Sequence, residues 1–517
     1  IDVVAWIDQP EAPGEQRRLP FVILLGGSSI QSVFGAYPIT PEGDFQKVQL
    51  RMGEMFAAEH EGMIALSSMA EALSALLAAE KSADQAIDAD GAALLCSADI
   101  AIHLDVAKAW PILDRLFETF KQKLTEQDQA SREMASLAMV LPIYREMLSQ
   151  IQTVTAAGQF DPAGLIIQKH VRFQADSPLG KIIACHKTDG GDLFSRVPDN
   201  AFILALGIAS PSPEVRAEVL KFNTQMLERM MQSEAMADIP AELVERLNQT
   251  AMALNEQTLG AQFVLGQSPE GAGVVGLACV LEVQDQAKTR QLLAEYVGPY
   301  EEFIKAILKK TKTEDGQDQK KEFEFDLVYT AGAESIDEKP VDVLEIRIPD
   351  IEAMTEEDRQ EMAKYLADDK LLVRIASAGD NLVVLTLGGG KSFLSQAIET
   401  AASADGKILT SPDVRQAMSY MPENRIAVGL FQLSNLFGLC TRIGQMEEQV
   451  FPLAAQNTIP LAIGVGAKGN ALQASLFVPS GMIKDVMNVV MMSMMGPTPP
   501  PQQDNAEELE SQDEENF

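Results

Sequence analysis

The chain is predicted to be an α+β protein of two related lobes, each a twisted antiparallel or mixed sheet with helices packed on one face. Three observations carry that expectation. Strand patterns come as hairpins that each lead into a single helix pattern, which argues against a doubly wound parallel sheet. The same phrases occur twice in the same order, the mark of internal duplication. Hydrophobic residues make up 46% of the 517, enough to build real cores.

The repeated phrases justify the elements one by one. Asp2–Gln9 and the apolar run after it have the layout of Gly260–Gln267 and the run after that: strand, Pro/Gly/Glu turn, strand. Helix patterns follow at Ser28–Phe34 and at Asp285–Tyr296. Phe56–Ser68 then matches Val373–Leu387 as strand, acidic or glycine turn, strand. Helices are expected next at Met69–Glu80 and Ser392–Ala401. Ile100–Leu104 matches Ile426–Leu430, and Pro178–Ile182 matches Pro479–Ile483, where Pro opens a helix. The offsets drift but the order holds, as duplication followed by loop insertion gives.

The first lobe is placed at 1–198 and the second at 199–496. The second opens with a strand, Pro198–Gly207, and two helices, Glu214–Met231 and Ala241–Leu254. The first has no counterpart of these, so about sixty further residues are expected ahead of Asp2. A helical hairpin is inserted at about 111–157: Ile112, Leu113, Leu116, Phe117, Phe120 and Leu124 form one apolar stripe, and Ser131–Ile151 a second helix. The second lobe carries a charged loop at about 301–343. Residues 497–517, with seven acidic residues and no basic one, are expected to be a disordered acidic tail.

Charge narrows the partners. Lys and Arg number 41 against 75 Asp and Glu, a net charge of −34, which excludes a nucleic-acid binder of the usual basic kind. It also disfavours an anionic membrane surface. No apolar stretch is long enough for a transmembrane segment. Cys96, Cys185, Cys279 and Cys440 form no C-x-x-C pair, and their plain reading is as small buried hydrophobes. The methionines between Met482 and Met495 read as a core helix, with an apolar binding groove as the other reading.

Few motifs suggest chemistry. Gly388, Gly389, Gly390 and Lys391 follow a strand and precede a helix, as in a phosphate-binding loop. The first glycine of that motif falls on Leu385, inside the strand, so the loop is too short to encircle a phosphate and the candidate is rejected. His60, His103, His170 and His186 are scattered, and no G-x-S-x-G is present. Asp88, Asp90 and Gly91 are a fragment of a calcium loop without its remaining ligands. The sequence therefore names no catalytic, cofactor or metal residue, and only loose divalent-cation association with acidic groups is expected.

The phrases Gln262–Gln267, Leu277–Leu293, Asp380–Gly388 and Leu409–Leu430 resemble a family of bacterial exported proteins that carries a domain of unknown function. The family is common in planctomycete-type genomes. The resemblance implies an export signal and an extracytoplasmic location, in the periplasm or cell envelope. It assigns no activity to any residue.

The composition, the repeat and the missing motifs together favour a non-catalytic extracytoplasmic protein, acting as a scaffold, envelope or protein-interaction component, self-association included. An apolar-ligand or lipid carrier is the alternative, since long amphipathic helices over curved sheets can enclose a cavity. An uncharacterised hydrolase is the third reading.

Overall fold

Apolar runs rich in Val, Ile and Leu, broken by Gly, Asn, Asp or Pro turns, fold here as antiparallel hairpins. The computed structural model describes the chain apart from residues 1, 6–20, 27–28, 51–52, 61, 79–86, 127–131, 187–192, 200, 232–238, 315–324, 349–354, 447–454 and 496–517. The acidic tail expected at 497–517 lies outside the described residues.

The first part of the chain contains β1 (Asp2–Ala5), β2 (Phe21–Gly26), α1 (Ile30–Phe34), β3 (Ile39–Glu42), β4 (Phe45–Leu50), β5 (Gly53–His60), β6 (Met63–Ser67), α2 (Ala70–Leu77) and α3 (Ala89–Ser97). It continues with β7 (Ile100–Asp105), α4 (Val106–Glu126), α5 (Arg132–Ser149), β8 (Ile151–Asp161), β9 (Gly164–Phe173) and α6 (Pro178–Cys185). Next come β10 (Phe202–Ile208), α7 (Pro213–Met231), α8 (Ala241–Gln257), β11 (Thr258–Gln267), β12 (Val275–Val283) and α9 (Gln286–Glu314). They are followed by β13 (Asp326–Ile336), β14 (Lys339–Arg347), α10 (Glu356–Leu366), β15 (Leu371–Ala378), β16 (Leu382–Gly388), α11 (Gly390–Ser403) and α12 (Pro412–Met418). The last elements are β17 (Arg425–Phe431), α13 (Leu433–Met446), β18 (Leu461–Lys468), β19 (Ala471–Pro479) and α14 (Ser480–Met495).

The fold is α+β with two sheets. One has six strands in the order β1-β2-β6-β5-β4-β3. The other has thirteen, ordered β13-β14-β15-β16-β12-β11-β10-β17-β18-β19-β9-β8-β7. All the described strand pairs are antiparallel. The large sheet takes strands from both sides of residue 198: β9 pairs with β19 from Gly164↔Pro479 to Arg172↔Ala471.

Helices lie on both faces of each sheet, which corrects the single-face expectation. Successive residues of a strand point to opposite faces. In β16, Leu382 and Val384 pack with Phe393, Leu394 and Ala397 of α11, whereas Val383 packs with Leu293 of α9. In the small sheet, α1 brings Ile30 and Phe34 against Val48 and Ile64, while α2 brings Ala72 and Leu73 against Val22 and Ala65. The cause is in the strands, which are apolar at consecutive positions and so offer two faces to cover.

Two further expectations change. The segment taken for a charged loop at 301–343 contains the end of α9 and the β13–β14 hairpin. That hairpin turns at Asp337 and Glu338, both left-handed with φ of 48° and 65°. The Met-rich helix α14 is not a core helix. Met482 is buried, but Ile483, Val486, Met487, Val490 and Met491 form an exposed stripe. The inserted helices α4 and α5 pack together, with Arg145 bonded to Asp114 and Glu118.

Gly164 sits where the backbones of β9 and β19 meet closely. A Cβ there would lie 2.2 Å from the Val478 carbonyl oxygen, so a side chain must push β9 away from β19. Gly164→Ala should therefore cost about 1–3 kcal/mol in urea unfolding at neutral pH. An unchanged midpoint would show that the junction yields freely.

Candidate functional site

The most unusual feature is an uncovered apolar floor on the half of the large sheet that runs from β10 to the edge strand β7. One cross-strand row runs Leu206, Gly429, Ile463, Leu476, Ile167, Gly158, Ile100. The next row on that face runs Ile208, Ala427, Val465, Ala474, Lys169, Ala156, Ile102. Leu206 is 38% exposed, Ile463 50%, Ile100 58% and Ile102 62%. Leu204, Ile208, Leu104 and Phe160 are exposed beside them.

Isolated exposed aliphatics are ordinary, but a contiguous apolar patch marks an interaction surface or a ligand groove. Helices cover this face on either side of the floor. Towards β16, α9 supplies Leu293 against Leu281, Val383 and Leu385. Near the ends of β8, β9 and β19, residues from α4, α5 and α6 (Leu113, Leu148, Leu179 and Ile183) pack on Val154, Val171 and Leu472. Ile463 leans over the buried Gly429: a Cβ there would come within 3.0 Å of Ile463 Cγ2. A second apolar feature lies between α4 and α5, a groove of about 450 Å³ lined by Leu113, Leu116, Phe117, Phe120 and Leu141.

The opposite face carries a polar row that sequence spacing did not group. His103, Thr155, His170 and Gln473 stand side by side on β7, β8, β9 and β19. His103 Nδ1 lies 2.8 Å from Thr155 Oγ1. Asp88, the N-cap of α3, accepts from the Gly91 N–H at 2.9 Å. Its carboxylate also lies 3.1 Å from His170 Nε2 and 3.8 Å from Arg172. Asp90 is bound by Lys468 of β18 at 2.6 Å.

Asp88, Asp90 and His170 bring ligand atoms within 4.8 Å of one another, the one such group of three or more among the described residues. Lys468 and Arg172 already engage the two carboxylates. The arrangement works as an ion-pair junction that fastens α3 to β9 and β18. Burial opposes the charge on Asp88, but the Gly91 N–H, His170 and Arg172 outweigh it and hold its pKa below the ordinary value. Burial is also the main cause that holds His103 below the ordinary histidine value; Asp105 and Asp88 oppose it.

The remaining residues singled out by sequence are dispersed. Gly388, Gly389 and Gly390 are all left-handed and buried where β16 passes into α11. A Cβ on Gly389 would meet Phe393 Cβ at 2.5 Å, and one on Gly388 would meet the Val275 carbonyl oxygen at 2.5 Å. Packing thus accounts for those two glycines. Lys391 lies 3.8 Å from Glu334, which also binds the buried Arg374. His60 ends β5, and His186 caps α6 with its pKa lowered by burial.

All four cysteines are free; Cys96 and Cys185 are exposed, and Cys279 and Cys440 are partly buried. That corrects the reading of four buried thiols. Cys96 and Cys185 each sit near the end of a short helix, where the apolar pattern no longer reports a covered face. Cys279, on β12, has its thiol pushed up to about 11 by burial.

No family model, curated protein or solved structure matches the chain.

Because the folded-state pKa of Asp88 is depressed, the charge contributes stability above the unfolded value, and that contribution is lost as pH falls through the folded one. Asp88→Asn keeps the helix cap and removes the charge. The variant should be less stable than the parent at pH near 7, and in urea titrations the gap should narrow as pH falls below the ordinary carboxylate value of 3.8. A gap independent of pH would assign the loss to packing.

Proposed function

We propose that this protein is a non-catalytic binding protein whose ligand is apolar and lies on the uncovered floor of the large sheet. The observation that carries this reading is the pair of aliphatic rows crossing seven strands from β10 to β7, with half-exposed Leu and Ile side chains. Burying a single Ile or Leu side chain contributes about 1.5–3 kcal/mol, so a ligand covering several has ample driving force. The groove between α4 and α5 offers further apolar area. The resemblance to exported proteins supports an extracytoplasmic setting for this role, in the envelope or periplasm.

Internal duplication is part of the proposal. The second part of the chain orders its strands β13-β14-β15-β16-β12-β11-β10-β17-β18-β19. The first orders them β3-β4-β5-β6-β2-β1, and then β7-β8-β9 pairs in the direction opposite to β17-β18-β19 across the β9–β19 seam. The sequences of hairpins and helices agree, and β1 and β7 approach each other as β11 and β17 flank β10. That parallel supports two copies of one unit.

A neutral, environment-sensitive naphthylamine dye tests the binding reading. The parent protein should bind it with a fluorescence rise. Ile463→Asp and Ile102→Asp should each weaken binding by about tenfold or more, with the unfolding midpoint little changed. Val486→Asp, on α14, serves as the control away from the floor. A parent that binds no dye, or floor variants that bind as well as the parent, would overturn the reading.

A further inference from the structure

Lys169 is the one charged residue in the two rows of the floor. It stands exposed on β9, between Ile167 and Val171 on its own face. Ala156 and Ala474 flank it on the neighbouring strands, so its aliphatic stem can lie across them. Its sequence neighbours His170 and Arg172 turn to the other face and contact Asp88. Lys169 has no carboxylate within 4.0 Å among the described residues. In a chain with 75 acidic side chains, a cation left without one on an apolar face is a place for an anion from outside.

We infer that Lys169 anchors the head group of an acyl ligand, and that the ligand is a long-chain carboxylate. The inference rests on the proposed use of the floor. A single ammonium with no second cation in either row suits one negative charge. A phosphate head favours the bidentate fork of arginine or several donors.

The alkyl chain then runs from β9 across β19, β18 and β17 to β10. Four strand spacings make about 19 Å. One leaflet of a bilayer's hydrocarbon core is roughly 15 Å, so a single long chain fits that span. On the way it passes over Ile463, whose side chain leans across Gly429, and reaches the exposed Leu206 and Ile208.

Hexadecanoate and hexadecanol, which differ in the head alone, test the inference by calorimetry or by displacement of the dye. The parent should bind hexadecanoate about tenfold more tightly than hexadecanol. Lys169→Met should abolish that preference and leave hexadecanol binding unchanged, while Lys169→Arg should retain the preference. A parent that binds both equally, or a Lys169→Met variant that keeps the preference, overturns the head-group assignment and leaves the floor reading intact. Failure to bind either compound overturns both. Tighter binding of hexadecyl phosphate than of hexadecanoate overturns the carboxylate assignment.

Discussion

The ladder between β9 and β19 is the constraint on which the rest depends. It joins strands some three hundred residues apart, and through it the hairpins on either side become one sheet. It also fixes register. A slip by one residue would turn every side chain of β7, β8 and β9 to the other face. His170 would leave Asp88, and Lys169 would leave the apolar floor. The polar junction on one face and the apolar floor on the other are thus two results of the same register.

Strand alternation then divides the work. On one face, α11 and α12 close the core around Phe393, Leu394, Val414 and Ala417, with Phe194 and Leu430 among the residues they cover. On the other, among the described residues, helices reach the floor from its margins. The pairing of Asp90 with Lys468 joins distant segments on the covered side. What lies opposite is a rigid surface whose side chains are set by the sheet and not by a mobile loop, a suitable arrangement for a ligand with shape but few polar groups.

Much of the local structure was legible. The hairpins Val373–Leu387 and Gly260 onward, and the helices beginning at Ala241 and near Glu214, follow from periodicity and turn residues. Pairing was not legible. Nothing in Gly164–Phe173 says that its partner is Ala471–Pro479, because antiparallel strands carry no local label for a distant mate. The floor was hidden for a related reason. Phe202–Ile208 is apolar throughout and reads as a strand buried on both sides, yet Leu204, Leu206 and Ile208 are uncovered. His103, Thr155 and His170 meet only through the register of three strands, so their sequence spacing gave no hint. The helix pattern of α14 shows an apolar stripe but not whether anything lies against it.

The bare floor also bears on how copies of this protein behave toward one another. Apolar faces of this width attract their own kind, since contact removes them from water. A charge of −34 on each copy opposes that approach from a distance. The repulsion reaches only about 8 Å at physiological ionic strength and about 3 Å in molar salt. Colloidal behaviour is therefore a balance between a short-ranged attraction at one surface and a screened repulsion over the whole particle. The excess of carboxylates serves as the counterweight that lets so much oil-like surface stay open.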